Sequence, residues 1–492
     1  MRLSSSFLLH FFLPILISFF FFIELGMGLN QFLTNLNTSK DLSSAITGSL
    51  QNSGVYSYFL IICLPVLFYS LKIVPGSKII KRIVLIVTLI SIVIILISTQ
   101  SRTAIITFII ALTFLFHSRV NDKVKRALRF IRNNKLVVSL ILAGLIIGIL
   151  YCLIQLRPES FAGRIFIWQT AIRHFPDNLF TGTGIGTFSY YYPQWQIEYF
   201  SSHLSPPISY FLNADETHVA FNEPLQVLIE TGLVGFMCCV ILLIYLFNIK
   251  SDENRTFIVT VKKTLILILI AGLSSYPLHC NAILFLLAFC IAGLLATKRN
   301  RIIFVIRKFS SFGVLLFVMV QSFIGLVAFN SMNHYLSISK WNSLGENLLM
   351  PPSEMRTGYL QLYPFLSTNG KFLLDMGEHF TDVGDLHTAI KVIEESKKYY
   401  ISTRTFSSTA NSYYQANNIP YTIKNLEDLS NMVPHKFYPR YELIKLYYQC
   451  GDLLKGNEMA QFILSMPVKK MSPEVDKIKK ETRAMLADAM EE

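Results

Sequence analysis

Ile83-Val84-Leu85-Ile86-Val87-Thr88-Leu89-Ile90-Ser91-Ile92-Val93-Ile94-Ile95-Leu96-Ile97-Ser98 contains no charged side chain. As an α-helix rising ~1.5 Å per residue, the run nearly crosses a hydrocarbon core ~30 Å thick. Comparable stretches lie on both sides of it. Together they predict nine spans, at roughly 6–24, 55–72, 83–99, 102–117, 136–155, 224–248, 262–276, 279–297 and 312–330. Composition agrees with that reading. The 492 residues are 52% hydrophobic and 15% charged, with mean hydropathy +0.46, which leaves too little charge to coat a soluble domain of this size. The expected fold class is therefore all-α: a polytopic helical membrane protein.

The net charge of +13 follows the spans rather than a nucleic-acid-binding face. Basic residues fill alternate loops: Lys72 to Arg82, Arg119 to Lys135, Lys250 to Lys263, and Lys298 to Lys308. The intervening loops hold only Lys40, Arg102, Arg157, Arg164 and Arg173. The positive-inside rule then puts the N-terminus in the cytoplasm of a bacterial inner-membrane protein. Residues 25–54, the large loop 156–223 and the C-terminal domain fall on the periplasmic side. The first apolar stretch reads as an uncleaved anchor, because Ile23-Glu24-Leu25-Gly26-Met27-Gly28 lacks a clean small-x-small cleavage site. The seven cysteines show neither metal-ligand spacing nor a disulfide framework, and read as packing residues. No metal and no cofactor are expected.

Four segments follow: N-terminal spans in 1–155, the large loop 156–223, further spans in 224–331, and a polar helical region 332–492. The last region repeats. Gly384-Asp385-Leu386 returns as Asn417-Asn418-Ile419 and again as Gly451-Asp452-Leu453, at offsets of 33 and 34. Tyr413-Tyr414-Gln415 returns as Tyr447-Tyr448-Gln449, also at 34. A period near 34 with a turn in mid-repeat predicts a TPR-like (tetratricopeptide-like) α-solenoid, in which each helix pair buries its apolar face on the next. Such a solenoid offers a concave surface for a protein or peptide partner.

Candidate chemistry clusters in and beside the large loop, since ionisable groups at or within a membrane are costly. Arg102 sits in a tight turn, Thr99-Gln100-Ser101-Arg102-Thr103, where its guanidinium suits either a lipid phosphate or the headgroup region. Arg164 and Trp168 follow the fifth span. Gly182, Gly184 and Gly186 alternate, which permits close backbone approach and exposes N–H donors. No nucleotide-binding context surrounds them. Tyr190-Tyr191-Tyr192-Pro193-Gln194-Trp195 suits an interfacial aromatic belt or a sugar-stacking surface. His218 and Asn222 are four apart and share a face if the segment is helical. Glu223 and Glu230 are seven apart and align on the same condition. Glu230, within the membrane, needs a partner, for which Arg102 and Arg164 are candidates; a purely structural pair is the alternative.

The set Arg164…Trp168…Pro176…Gly182-x-Gly184-x-Gly186-x-Phe188, followed by Asn222-Glu223-x-Leu225-Gln226-x-x-x-Glu230-x-Gly232-x-x-Gly235, resembles the O-antigen ligase/polymerase superfamily. Ser101-Arg102, Ser275-Tyr276-Pro277-Leu278 and Gly48-Ser49-Leu50-Gln51-Asn52 look like it too, so the resemblance covers roughly 44–297. The appended repeats look like Bacteroidetes-type members. The resemblance implies a metal-independent, inverting membrane glycosyltransferase whose donor is a glycan on undecaprenyl diphosphate. In ligases the acceptor is a sugar hydroxyl of lipid A-core; a polymerase extends a growing glycan, and a protein O-oligosaccharyltransferase modifies a polypeptide. The resemblance gives diphosphate binding to Arg102 and Arg164, and a general base near Asn222. Relatives commonly carry histidine directly before that Asn; here it is Phe221, which leaves His218 and then Glu223 as candidate bases. Only one span precedes Gly48–Asn52, where relatives have several, so either the chain starts late or this branch is short. A non-catalytic membrane scaffold using the repeats to recruit partners is the reading from a different class.

Overall fold

The computed structural model describes residues 8–38, 46–116, 158–203, 205–297, 311–346 and 350–491. These residues form 19 α-helices and no strand. The chain divides into two compact units. One comprises 1–161, 180–182 and 219–307; the other comprises 162–179, 183–218 and 308–492.

The first unit is built around α2 (Ser53–Ile73), whose side chains from Val55 to Leu67 are all buried. Around it pack α1 (Leu13–Thr38), α3 (Lys78–Thr99), α4 (Arg102–Phe116) and α9 (Arg255–Gly272). Asn52 starts α2 by accepting from the Val55 N–H at 3.0 Å, satisfying one of the donors a helix start leaves open. The Gly48–Asn52 segment is held by α1. Gln31 accepts from the Thr47 and Gly48 N–H groups at 2.9 Å, and the fully buried Glu24 accepts from the Ser49 N–H and hydroxyl. By contrast α3 leaves Ile79, Ile80, Ile83, Ile86, Val87, Ile90 and Ile97 exposed. α8 (Glu223–Asn248) does the same with Val234, Met237, Ile241 and Ile244. Such continuous apolar faces belong in lipid, not water. Among the described residues, four helices (His10–Leu36, Ser53–Ile73, Lys78–Thr99 and Glu223–Asn248) are long and apolar enough to cross a membrane.

Several expected bounds shift. The first span, expected at 6–24, lies in a helix that continues to Thr38. The span expected at 262–276 is α9, which begins earlier and stops at Gly272 before the turn 273–276. It tolerates Lys262 and Lys263 because both cap neighbouring helices. Lys262 Nζ donates to the Phe247 and Ile249 carbonyls at 2.6 Å, and Lys263 Nζ donates to Phe114 at 2.7 Å. The ends of α8 and α4 therefore meet their counter-charge at one face of the bundle. The span expected at 279–297 is α10 (Asn281–Thr297); that expected at 312–330 opens α11 (Ser311–Glu346), which runs past the boundary expected at 331. The span expected at 136–155 lies outside the described residues.

In the second unit the helices α12 (Pro352–Leu366) to α19 (Pro473–Glu491) pack each on the next. Three turns between these helices share one backbone feature. Gly384, Asn417 and Gly451 have φ of 81°, 57° and 74°, and the residues that follow are the caps of α14 (Leu386–Ser396), α16 (Ile419–Met432) and α18 (Leu453–Ser465). Each of these three turns is made by a residue able to take the left-handed region. Much of the large loop belongs to this unit: α6 (Phe188–Ser202) packs against α16. Gln196 Nε2 donates to the Met432 carbonyl at 2.5 Å, and a ring nitrogen of His435 lies 2.9 Å from the Ala214 carbonyl.

Candidate functional site

In the first unit the candidate residues gather at the opposite ends of the helices from Lys262 and Lys263. Gln100, at φ 50°, ends α3, and Ser101 Oγ accepts from the Ala104 N–H at 3.4 Å; Arg102 is the first residue of α4. Next to it, Thr103 Oγ1 lies 2.9 Å from Ser274 Oγ, which fastens this turn to the turn 273–279. Asn222 fastens α8 to the same turn. Its Oδ1 caps the helix through the Leu225 N–H at 2.9 Å, and its Nδ2 donates to the Leu273 carbonyl at 3.1 Å. Glu223 is buried against Gly272 and accepts from the Leu278 N–H at 2.7 Å. The structure thus brings the Arg102 turn, Asn222, Glu223 and the Ser275–Leu278 motif together.

His279 is a member of this site that the sequence reading passed over, although it directly follows the quoted Ser275–Leu278 motif. Its Nδ1 lies 3.5 Å from Glu223 Oε1 and its Nε2 lies 3.2 Å from Gln226 Nε2. Gln226 in turn donates to Glu230 Oε1 at 3.0 Å and accepts from the Ala220 N–H at 3.0 Å. Glu223 and Glu230 therefore align on the first turns of α8, as expected, and a Gln–His bridge connects them. The hydrogen bond to Glu223 holds the His279 imidazole above its usual pKa, against the opposing effect of burial. Among the described residues no three His, Cys, Asp or Glu side chains converge as metal ligands.

Two expectations change. Residues 214–222 are not helical, and Phe221 has φ 52°, so His218 and Asn222 share no helix face. Phe221 instead sets its ring edge-on to Tyr276 at 5.2 Å. Gly182 serves the chain's own backbone rather than an open surface. α8 breaks at Gly232, with φ 65° and ψ −171°, and residues 180–182 enter the break. The Phe180 carbonyl accepts the Val234 N–H at 3.3 Å. A Cβ on Gly182 would lie 2.5 Å from the Gly232 nitrogen, and one on Gly232 would lie 2.6 Å from the Gly182 nitrogen. Two glycines are needed because two backbones touch.

In the second unit Arg164 and Trp168 stand one turn apart on α5 (Pro158–His174), both half-buried. The helix is fixed by its buried Phe166, whose ring meets Tyr199, Phe200 and Tyr210 at 5.0–5.4 Å. Gly184 and Gly186 take φ of 111° and 79° in the turn before α6. The tyrosine- and tryptophan-rich segment forms core rather than a belt or open platform: Phe188, Tyr192 and Trp195 are buried. Its pattern is that of one helix face packed on neighbours.

His218 lies in the extended segment before α8. Its Nε2 is 2.8 Å from Glu216 Oε1, and its ring stacks on Tyr400 at 5.6 Å. Glu216 is pinned by α15 (Thr403–Gln415): its Oε2 accepts from the Thr403 N–H at 3.0 Å and hydroxyl at 2.8 Å. Burial pushes the Glu216 carboxyl up, but the hydrogen bonds from His218 and Thr403 outweigh it and bring it down to about 2. A carboxylate held ionised at a helix N-terminus fixes the ring and its tautomer.

No curated protein and no solved structure matches the chain. A family model described as Wzy_C: O-Antigen ligase matches residues 85–240. That stretch takes in Arg102, Arg164, Trp168, the glycine series, His218, Asn222, Glu223 and Glu230, so through residues 85–240 the chain carries a domain of the O-antigen ligase superfamily.

Proposed function

We propose that this membrane protein transfers a glycan from undecaprenyl diphosphate to a lipid A-core sugar hydroxyl at the periplasmic face of a bacterial inner membrane. The observation that carries the reading is the convergence of the Arg102 turn, Asn222, Glu223 and His279 at one end of the spanning helices, inside or beside the segment matched as O-antigen ligase. The lysine-capped ends are the cytoplasmic ends on this reading. In the reaction the acceptor oxygen bonds to the anomeric carbon from the face opposite the leaving group. The diphosphate departs with the bonding electrons and the acceptor proton passes to a base. Arg102 in the first unit and Arg164 in the second are each candidate guanidinium forks for the diphosphate, a group able to meet the developing charge without a metal. His218, oriented by Glu216, is the base, with Glu223 next in line.

Gel electrophoresis of lipopolysaccharide from a strain lacking this protein, beside its parent, tests the reading. The expected result is loss of every band above lipid A-core. Collapse to one added unit would instead make the enzyme a polymerase extending a growing glycan. An unchanged ladder would reject both and turn attention to glycoproteins as acceptors. Within the reading, Arg164→Ala is expected to abolish transfer while the protein accumulates in the membrane at the parental level. A full ladder in that strain would remove Arg164 from the donor site.

A further inference from the structure

The second unit contains a cavity of about 650 Å³, walled on one side by the loop around α6 and on the other by α16 to α18. That volume is in the range of small-ligand sites, ~300–1,000 Å³. Arg440 lies at its base, with 6% of its surface exposed. Its guanidinium donates to the carbonyls of Pro434 at 2.6 Å and Ser430 at 3.0 Å. It also lies over the rings of Phe211 and Phe462, 5.9 and 5.3 Å from their centroids. These contacts hold the two rings in place at low entropic cost. Phe462 is 42% exposed. Around the rings stand the carboxylates Glu427 and Glu458, the amide Asn431 and the ammonium Lys455. Glu427 is aligned by the Tyr447 hydroxyl at 2.7 Å.

The chemistry of that lining is specific in kind. Two acids and two bases cancel, so the cavity selects neither a polyanion nor a polycation. What is present is aromatic surface for a C–H face, bordered by carboxylate and amide groups for hydroxyl edges. A pyranose has that pattern of apolar faces and polar rim.

We propose that this cavity is a glycan-binding site, which holds distal sugars of the lipid-linked glycan while its reducing end reacts elsewhere. The proposal rests on the glycan-transfer reading for its choice of glycan, but its test does not depend on transfer. The repeats then contribute directly to substrate binding, through α16, α17 (Tyr438–Gln449) and α18, in addition to any partner on their concave face.

The test is calorimetric titration of the detergent-solubilised full-length protein with polysaccharide released from the parent strain's lipopolysaccharide by mild acid. Phe462→Ala and Glu458→Gln are the variants, since both side chains are exposed and neither is placed in the transfer machinery. Each is expected to weaken binding by about tenfold, the size of one lost aromatic or charge-assisted contact, with an unchanged melting temperature. Equal binding by the wild type and both variants would overturn the proposal, as would no binding by the wild type. A deletion strain with an unchanged ladder would reject the transfer reading yet leave a variant-sensitive binding result standing, so the two failures are distinct.

Discussion

Gly182→Ala is expected to cost the folded protein roughly 2–5 kcal/mol, and Gly186→Ala much less. Two costs add at Gly182. Its φ of 70° lies in the left-handed region, where a Cβ costs ~1–2 kcal/mol. Its Cβ would also be driven into the backbone of Glu230 and Gly232, where no rotamer change gives relief, and overpacking of that kind costs ~1–3 kcal/mol. Gly186 has a similar φ of 79°, but nothing lies within 4 Å of its would-be Cβ. Only the conformational cost remains there. Gly232→Ala meets the Phe180 carbonyl and the Gly182 nitrogen and is expected to behave like Gly182→Ala. The measurement is thermal melting of the three purified variants in one detergent, with the monodisperse fraction read by size-exclusion chromatography. Gly182→Ala melting at the wild-type temperature would show that the 180–182 segment does not occupy the break in α8.

The same contact shows what a sequence can and cannot disclose. The apolar runs and the turns at Gly384, Asn417 and Gly451 were legible because each is local: a continuous run of isoleucines fixes a helix, and a glycine or asparagine suits a turn of positive φ. The alternating glycines were read as sites of close backbone approach, and all three have positive φ. That Gly182 faces Gly232 was not legible, since the reason lies fifty residues away. His279 escaped notice for a related cause. Nothing in its neighbours announces Glu223 and Gln226, which reach it across the turn from another helix. The four-residue spacing of His218 and Asn222 misled because helix periodicity was applied to extended chain. The tyrosine-rich helix misled because a face that packs on repeat helices has the composition of a membrane belt.

His218→Ala is expected to lower transfer by about 10²–10⁴-fold, the usual contribution of a positioned general base. The extended chain at 214–222 has no helix to fix a side chain. Orientation comes instead from Glu216, which holds Nε2; the buried Nδ1, without a hydrogen-bond partner among the described residues, is the nitrogen proposed to take the proton. Glu216 is itself held by two donors of Thr403, in a helix of the repeat region. A graded series follows. His218→Ala removes the proposed base, Glu216→Gln removes the charge that holds its ring, and Thr403→Val removes one of the two donors that fix Glu216. The losses are expected to fall in that order, with Thr403→Val the mildest. Because the hydrogen bond from His218 and then those donors keep the Glu216 carboxyl near 2 against the opposing effect of burial, below its ordinary value of 4.5, the arm that the carboxylate supports is intact above about pH 4.5 and is lost as pH falls toward 2. Thr403→Val is expected to move that loss to higher pH, read as the melting of the purified variants against pH, since general-base transfer by an imidazole has already ceased there. The measurement is transfer of lipid-linked glycan to lipid A-core in membranes from each strain. Near-normal transfer by His218→Ala beside inactive Glu223→Ala would move the base role to Glu223, where the carboxylate already lies against His279 and the Leu278 N–H.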